Sequence, residues 1–131
     1  MYKWIFVLLL TSEASAQQFY MADNGRVCNY AEGRFIARTE RRPMLILIKQ
    51  IPCPPCVVAK NLIQQLQREK LLRNCVLIEM MNTEQPAKEL MVGGTTPQMF
   101  ILDNGVKHRL LRYDRETILK AVGKIAASVG P

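Results

Sequence analysis

The stretch Pro43-Met44-Leu45-Ile46-Leu47-Ile48-Lys49-Gln50-Ile51-Pro52-Cys53-Pro54-Pro55-Cys56 constrains this chain more than any other. Met44 to Ile48 is a continuous apolar run, the pattern of a strand buried on both faces as in a parallel sheet. A polar, proline-marked bend follows, and then two cysteines three apart. From Val57 onward apolar residues recur at spacings of three and four (Val58, Leu62, Ile63, Leu66), which predicts an amphipathic helix ending near Leu72-Arg73-Asn74. Cys53 therefore falls at or just before a helix N-terminus, with Cys56 inside the first turn. Two cysteines so placed can close a small disulfide ring, and the helix dipole favours a thiolate at its positive end.

Pro54 and Pro55 refine this motif. Proline is tolerated in the first helical turn, where its missing N–H has no intrahelical partner anyway. The pair also removes two donors from the neighbourhood of the Cys53 sulfur. The Cys53 thiolate is thus expected to be stabilised less than in a CxxC with two middle amides, giving a more reducing couple and a thiol pKa above the lowest dithiol values of roughly 3.5. A zinc site would need two further ligands, and Cys28, Cys75 and His108 form no second CxxC or HxxxH. Neither a metal nor an organic cofactor is indicated.

At 131 residues the chain is one domain with a single core. Its 49% hydrophobic and 22% charged residues are ordinary for a globular protein and argue against disorder. Residues 1–16 read as a secretory signal peptide: Lys3 gives a basic start, Trp4 to Leu10 an apolar core, and Ala14-Ser15-Ala16 a small-x-small cleavage site. The apolar core is too short to span a bilayer as a helix. The expected division is a leader over 1–16, an N-terminal segment of the domain over 17–42, and the core over 43–131, in a periplasmic or otherwise exported protein. Export makes the cysteines matter, because disulfides persist in oxidising compartments. With Cys53 and Cys56 as the redox pair, Cys28 and Cys75 are left as either a structural disulfide or two buried thiols. The net charge of +7, from 18 Lys+Arg against 11 Asp+Glu, is dispersed apart from the groups Arg38-Arg41-Arg42 and Lys107-Arg109-Arg112. Neither is interleaved with aromatics, so no nucleic-acid partner is expected; a solvated surface is, with acidic partners or anionic membranes as the functional alternative.

Along the rest of the chain, Tyr30 to Arg42 is weakly helical and Pro43 stops it. Cys75 to Met81 is a second apolar strand, so strand, helix and strand form a βαβ unit. Thr83 to Val92 reads as a short helix with Thr83 as N-cap, ended by Gly93-Gly94. Thr95 to Leu102 is a strand around Pro97, Asp103-Asn104-Gly105 a hairpin turn, and Val106 to Tyr113 the returning strand. Asp114 caps a last helix with the stripe Ile118, Leu119, Val122, Ile125 and Ala126.

This order, with Cys53-Pro54-Pro55-Cys56 at the first helix start, Thr96-Pro97 opening the third strand and the Asp103-Asn104-Gly105 hairpin after it, resembles the thioredoxin-like family over about Pro43 to Ser128. The resemblance implies an α/β thioredoxin fold, with a mixed central sheet flanked by helices, and a thiol–disulfide oxidoreductase without a cofactor. It further implies Cys53 as the attacking cysteine, Cys56 as the resolving one, Pro97 as the family's cis-proline and Thr96 as the position whose backbone takes a substrate strand. The implied partners are cysteine-containing protein substrates and a redox partner in the envelope, and a monomer is expected. The expected direction is reduction, with oxidase, isomerase or an envelope scaffold as rivals. Two positions depart from the family pattern. Pro52 stands where Trp is common, and Leu47 where the family has a buried acid, leaving Glu79 on the next strand as either its stand-in or a solvated strand-end charge.

Overall fold

The computed structural model describes residues 27–128, with side chains through Lys124. The leader over 1–16 and residues 17–26 of the N-terminal segment lie outside the described residues.

Helix α1 (Tyr30–Glu40) starts at Asn29, whose side chain accepts the Glu32 N–H at 2.9 Å and so satisfies one orphan donor of the first turn. Strand β1 (Met44–Lys49), helix α2 (Pro54–Arg68), strand β2 (Val76–Met81), helix α3 (Gln85–Leu90), strands β3 (Gln98–Asp103) and β4 (Val106–Leu110), and helix α4 (Arg115–Ser128) follow. The sheet order is β2-β1-β3-β4. β1 and β2 are parallel, joined through α2, whereas β1–β3 and β3–β4 are antiparallel, so the sheet is mixed. Cys28 adds a single parallel bridge on the outer edge of β2, donating to Leu77 O at 2.8 Å and accepting from Glu79 N at 3.0 Å.

The strands send alternate side chains to opposite faces. Leu45, Leu47, Leu77, Met99 and Ile101 pack with Ile63 and Leu66 of α2 and Ile118 and Val122 of α4. Ile46, Ile48, Ile78, Met80 and Phe100 pack on the other face with Ile36 of α1 and Ala87 of α3. Helix α1 approaches β2 so closely that a Cβ at Gly33 would overlap the Ile78 side chain, which is why that helical position is a glycine.

Several element ends differ from the sequence reading. Helix α2 stops at Arg68 because Lys70 turns left-handed (φ 62°). The Leu71 N–H then reaches Leu66 O at 3.0 Å and the Lys70 N–H reaches Gln67 O at 2.9 Å, a Schellman ending that turns Leu72 back into the core. Helix α3 is capped at Glu84 rather than Thr83, with Pro86 in its first turn. Strand β3 begins after Pro97, and β4 stops at Leu110, short of Tyr113. The turn between them has φ 50° at Asn104 and φ 80° at Gly105, the two positive values of a type I′ hairpin. Asp114 accepts the Thr117 N–H at 2.8 Å and caps α4, where Ile118 and Val122 are buried; the last two positions of its expected stripe lie beyond the described side chains.

The candidate Cys28–Cys75 disulfide is not present. Both are buried thiols, and they belong to the two apolar clusters on opposite faces of the sheet, so the sheet itself separates them. Burial pushes the Cys75 thiol up to about 12, with Arg42 lowering it and Asp103 adding to the rise. Among the described residues no helix is long and apolar enough to cross a membrane.

Candidate redox site

The site lies where β1 ends and α2 begins, at the carboxyl end of the parallel pair, where open α/β sheets usually bind their ligands. Cys53 is the N-cap of α2, in extended conformation (φ −157°), and Pro54 and Pro55 occupy the first two helical positions. The first amide of the helix able to donate therefore belongs to Cys56, and it donates both to Cys53 O at 3.0 Å and to the Cys53 Sγ at 3.2 Å. The Thr96 hydroxyl reaches the same sulfur at 3.7 Å. Cys53 and Cys56 are joined by a disulfide with their Cα atoms 5.2 Å apart. Cys53 is half-buried while Cys56 is 4% exposed, so an incoming group meets the Cys53 sulfur first.

Apolar surface surrounds the disulfide. Ile51 is 76% exposed and Val57 57%, and they flank Cys53 in an open cleft of about 860 Å³. Lys49 and Lys60 line the same cleft. Both are bound to Glu79: Lys49 forms an ion pair with its Oε1, and Lys60 sits 3.0 Å from its Oε2. Glu79 lies on β2 directly across from Leu47, and its side chain is only 13% exposed, so it is not a solvated strand-end charge. Burial pushes its carboxyl up, but the hydrogen bonds and charges of Lys49 and Lys60 outweigh this and hold it below the ordinary carboxylate value. A carboxylate held that low is a weak base, and does not have the raised pKa that proton transfer near neutral pH calls for. Leu47 itself is buried in the core.

The Thr96-Pro97 loop closes the other side, with both the Ile51–Pro52 and Thr96–Pro97 bonds cis. Two residues that sequence reasoning missed hold this loop. Gln98 is 0% exposed, the one buried polar or charged side chain among the described residues. Its amide accepts from Val92 N at 3.0 Å and donates to Val92 O and Thr95 O, both at 2.9 Å. From outside, the Tyr113 hydroxyl donates to Pro97 O at 2.7 Å. A glutamine heading the apolar run Met99-Phe100-Ile101-Leu102 was the available signal, since a buried amide needs several partners. His108 is exposed on β4 and takes no part in the site. Among the described residues no group of three or more His, Cys, Asp or Glu is arranged to hold a metal.

A helix that leaves the first strand of this mixed sheet through a CxxC disulfide, with a proline loop packed against it, defines the thioredoxin fold. The chain superposes on thioredoxin f from spinach chloroplast with a TM-score of 0.68 and 18% identity, covering 83% of this chain and 93% of that one. The first thioredoxin domain of mouse protein disulfide-isomerase A4 gives 0.63 and 18%, over 82% and 80% of the two chains. A thioredoxin from Thermus thermophilus gives 0.60 and 20%, over 80% and 89%. No protein-family model matches the chain, and no curated protein matches it by sequence.

Proposed function

We propose that this protein is an exported thiol–disulfide oxidoreductase that reduces disulfides in protein substrates. The observation that carries the reading is the asymmetry of the pair: a reachable Cys53 sulfur at a helix N-terminus, backed by a buried Cys56 already at bonding distance. In the reduced protein the Cys53 thiolate attacks one sulfur of a substrate disulfide. A Cys53–substrate disulfide forms, and the other substrate sulfur leaves as a thiolate that takes up a proton. Cys56, on losing its own proton, attacks the Cys53 Sγ and expels the second substrate sulfur. Two electrons pass to the substrate and the Cys53–Cys56 disulfide is restored, to be reduced again by a dithiol partner in the envelope. Thr96 and Pro97, in the loop before β3, present the backbone against which a substrate peptide aligns, with Ile51 and Val57 as apolar contacts beside it.

Reduction rather than oxidation is favoured by the poor supply of donors to the Cys53 sulfur. Pro54 and Pro55 contribute none, which leaves the Cys56 N–H and the more distant Thr96 hydroxyl. Fewer donors mean a less stabilised thiolate and a more reducing couple. A glutathione redox titration of the mature protein, with the disulfides mapped by mass spectrometry, tests this. A couple near −270 mV, roughly the thioredoxin value, is expected; one between about −180 and −120 mV would make it a disulfide donor or isomerase instead. Export is tested by N-terminal sequencing of the protein recovered from the producing cell, with Gln17 as the expected first residue.

A further inference from the structure

A second cleft, of about 780 Å³, opens between α1 and the β3–β4 turn, at the end of β1 remote from the disulfide. Its floor is apolar, formed by Ala37, Met44 and Leu102 at the edge of the α1-side core. Its wall is a row of arginines, Arg34, Arg38 and Arg41, all exposed. Like charges four positions apart on a helix repel, which sets Arg34 against Arg38, while Arg41 sits at the left-handed C-cap beyond the helix. Glu40, the acid between Arg38 and Arg41, is paired with Arg42 at 2.9 Å, and Asp103 is the sole carboxylate lining the cleft among the described residues. No ion pair joins Arg34, Arg38 or Arg41 to a carboxylate among the described residues.

We infer that this cleft docks an extended acidic segment of a partner protein. Arg34 and Arg38 stand one turn apart on α1, roughly 6 Å along the helix axis, and Arg41 follows at the left-handed C-cap. An extended peptide presents the side chains of one face roughly every 6.7 Å, so carboxylates on alternate residues come within reach of long side chains standing one helical turn apart, and the residues between them turn to the apolar floor. Arginine forks are suited to such carboxylates. A lone phosphate would span at most two of the three and leave the floor uncovered. Bases of a nucleic acid would need a stacking platform, but Tyr30, the aromatic residue lining the cleft, already carries the Arg34 guanidinium 6.0 Å from its ring centre. The site stands apart from the dithiol reading: β1 separates the two by about 16 Å of strand, so a segment bound here leaves Cys53 open.

The test is fluorescence anisotropy on the full chain with a labelled eight-residue peptide of alternating glutamate and leucine. Binding that weakens with salt and falls at least tenfold in Arg34→Ala/Arg38→Ala is expected, with no binding of a glutamine–leucine control. Arg38→Gln, which keeps helix propensity and length, should shift affinity in the same direction, and circular dichroism checks that both variants are folded. The Cys53–Cys56 potential should not change in either, which keeps failure here distinguishable from failure of the redox reading. Undiminished affinity in both variants, equal binding of the control, displacement by an equimolar amount of inorganic phosphate, or tighter binding of a thymidine oligonucleotide would each overturn the proposal.

Discussion

Gln98 and Glu79 are the two polar side chains that shape the surroundings of the dithiol without belonging to it. Gln98 supplies the buried hydrogen bonds of the loop before Pro97, so Gln98→Met keeps the volume and removes the bonds, leaving Val92 and Thr95 backbone groups unsatisfied. A loss of about 2–3 kcal/mol in denaturant unfolding is expected. Turnover of a protein disulfide should fall more than turnover of a small aromatic disulfide, since the loop is needed only to seat a peptide. Glu79 gives a pH signature. Its folded pKa lies below the unfolded value of 4.5, so its contribution is fully present above that value and is lost as pH falls through the folded pKa. Glu79→Gln should therefore be less stable than the unmutated protein at pH 7, and the gap should close as unfolding is measured toward pH 3. At this scale the two cysteines were legible because a spacing of three at a helix start has few other uses. The roles of Gln98 and Glu79 were not, because each depends on partners brought together from other elements: the loop of residues 92–95, and Lys49 and Lys60 on β1 and α2.

Elements were legible where the pattern was local and misread where an end depends on backbone sign. The apolar runs at Met44 and Cys75, the stripe after Val57 and the Asn104-Gly105 turn each carry their own period or turn chemistry, and each became the expected element. The end of α2 did not follow its apolar spacing, because Leu72 is buried through a chain reversal at Lys70 rather than by continued helix. Nothing in a lysine announces a positive φ. The packing of α1 on β2 was equally hidden, since Gly33 reads from sequence only as a weak helix former. Gly33→Ala would gain helix propensity in isolation, yet the added methyl meets Ile78. A net destabilisation of about 1–3 kcal/mol is expected in thermal or denaturant unfolding, with Gly33→Ala/Ile78→Val recovering part of it.

For the molecule as a whole, the sheet is a partition. It keeps Cys28 in one apolar layer and Cys75 in the other, something a cysteine count cannot reveal. Air-oxidised protein should therefore show one intramolecular disulfide, Cys53–Cys56, and two thiols that react with iodoacetamide only after denaturation. Cys75, pushed up to about 12 by burial, should stay unmodified in the native protein at pH 8 while reduced Cys53 is alkylated readily. A rapid reaction at Cys75 would mean that the α2–α4 layer opens far more often than its packing implies.

Cys53 is at once the exposed sulfur of the pair and the cap of α2, and one N–H, that of Cys56, reports on both. The chemistry at that sulfur is thus written into a single amide resonance. When the disulfide is cut and a thiolate stands at the cap, the Cys56 proton should move downfield and its exchange with solvent should slow, and both changes should reverse when the sulfur is capped by substrate. A nitrogen–proton correlation spectrum of nitrogen-15-labelled protein followed during reduction would then read the state of the dithiol directly, without a reporter dye.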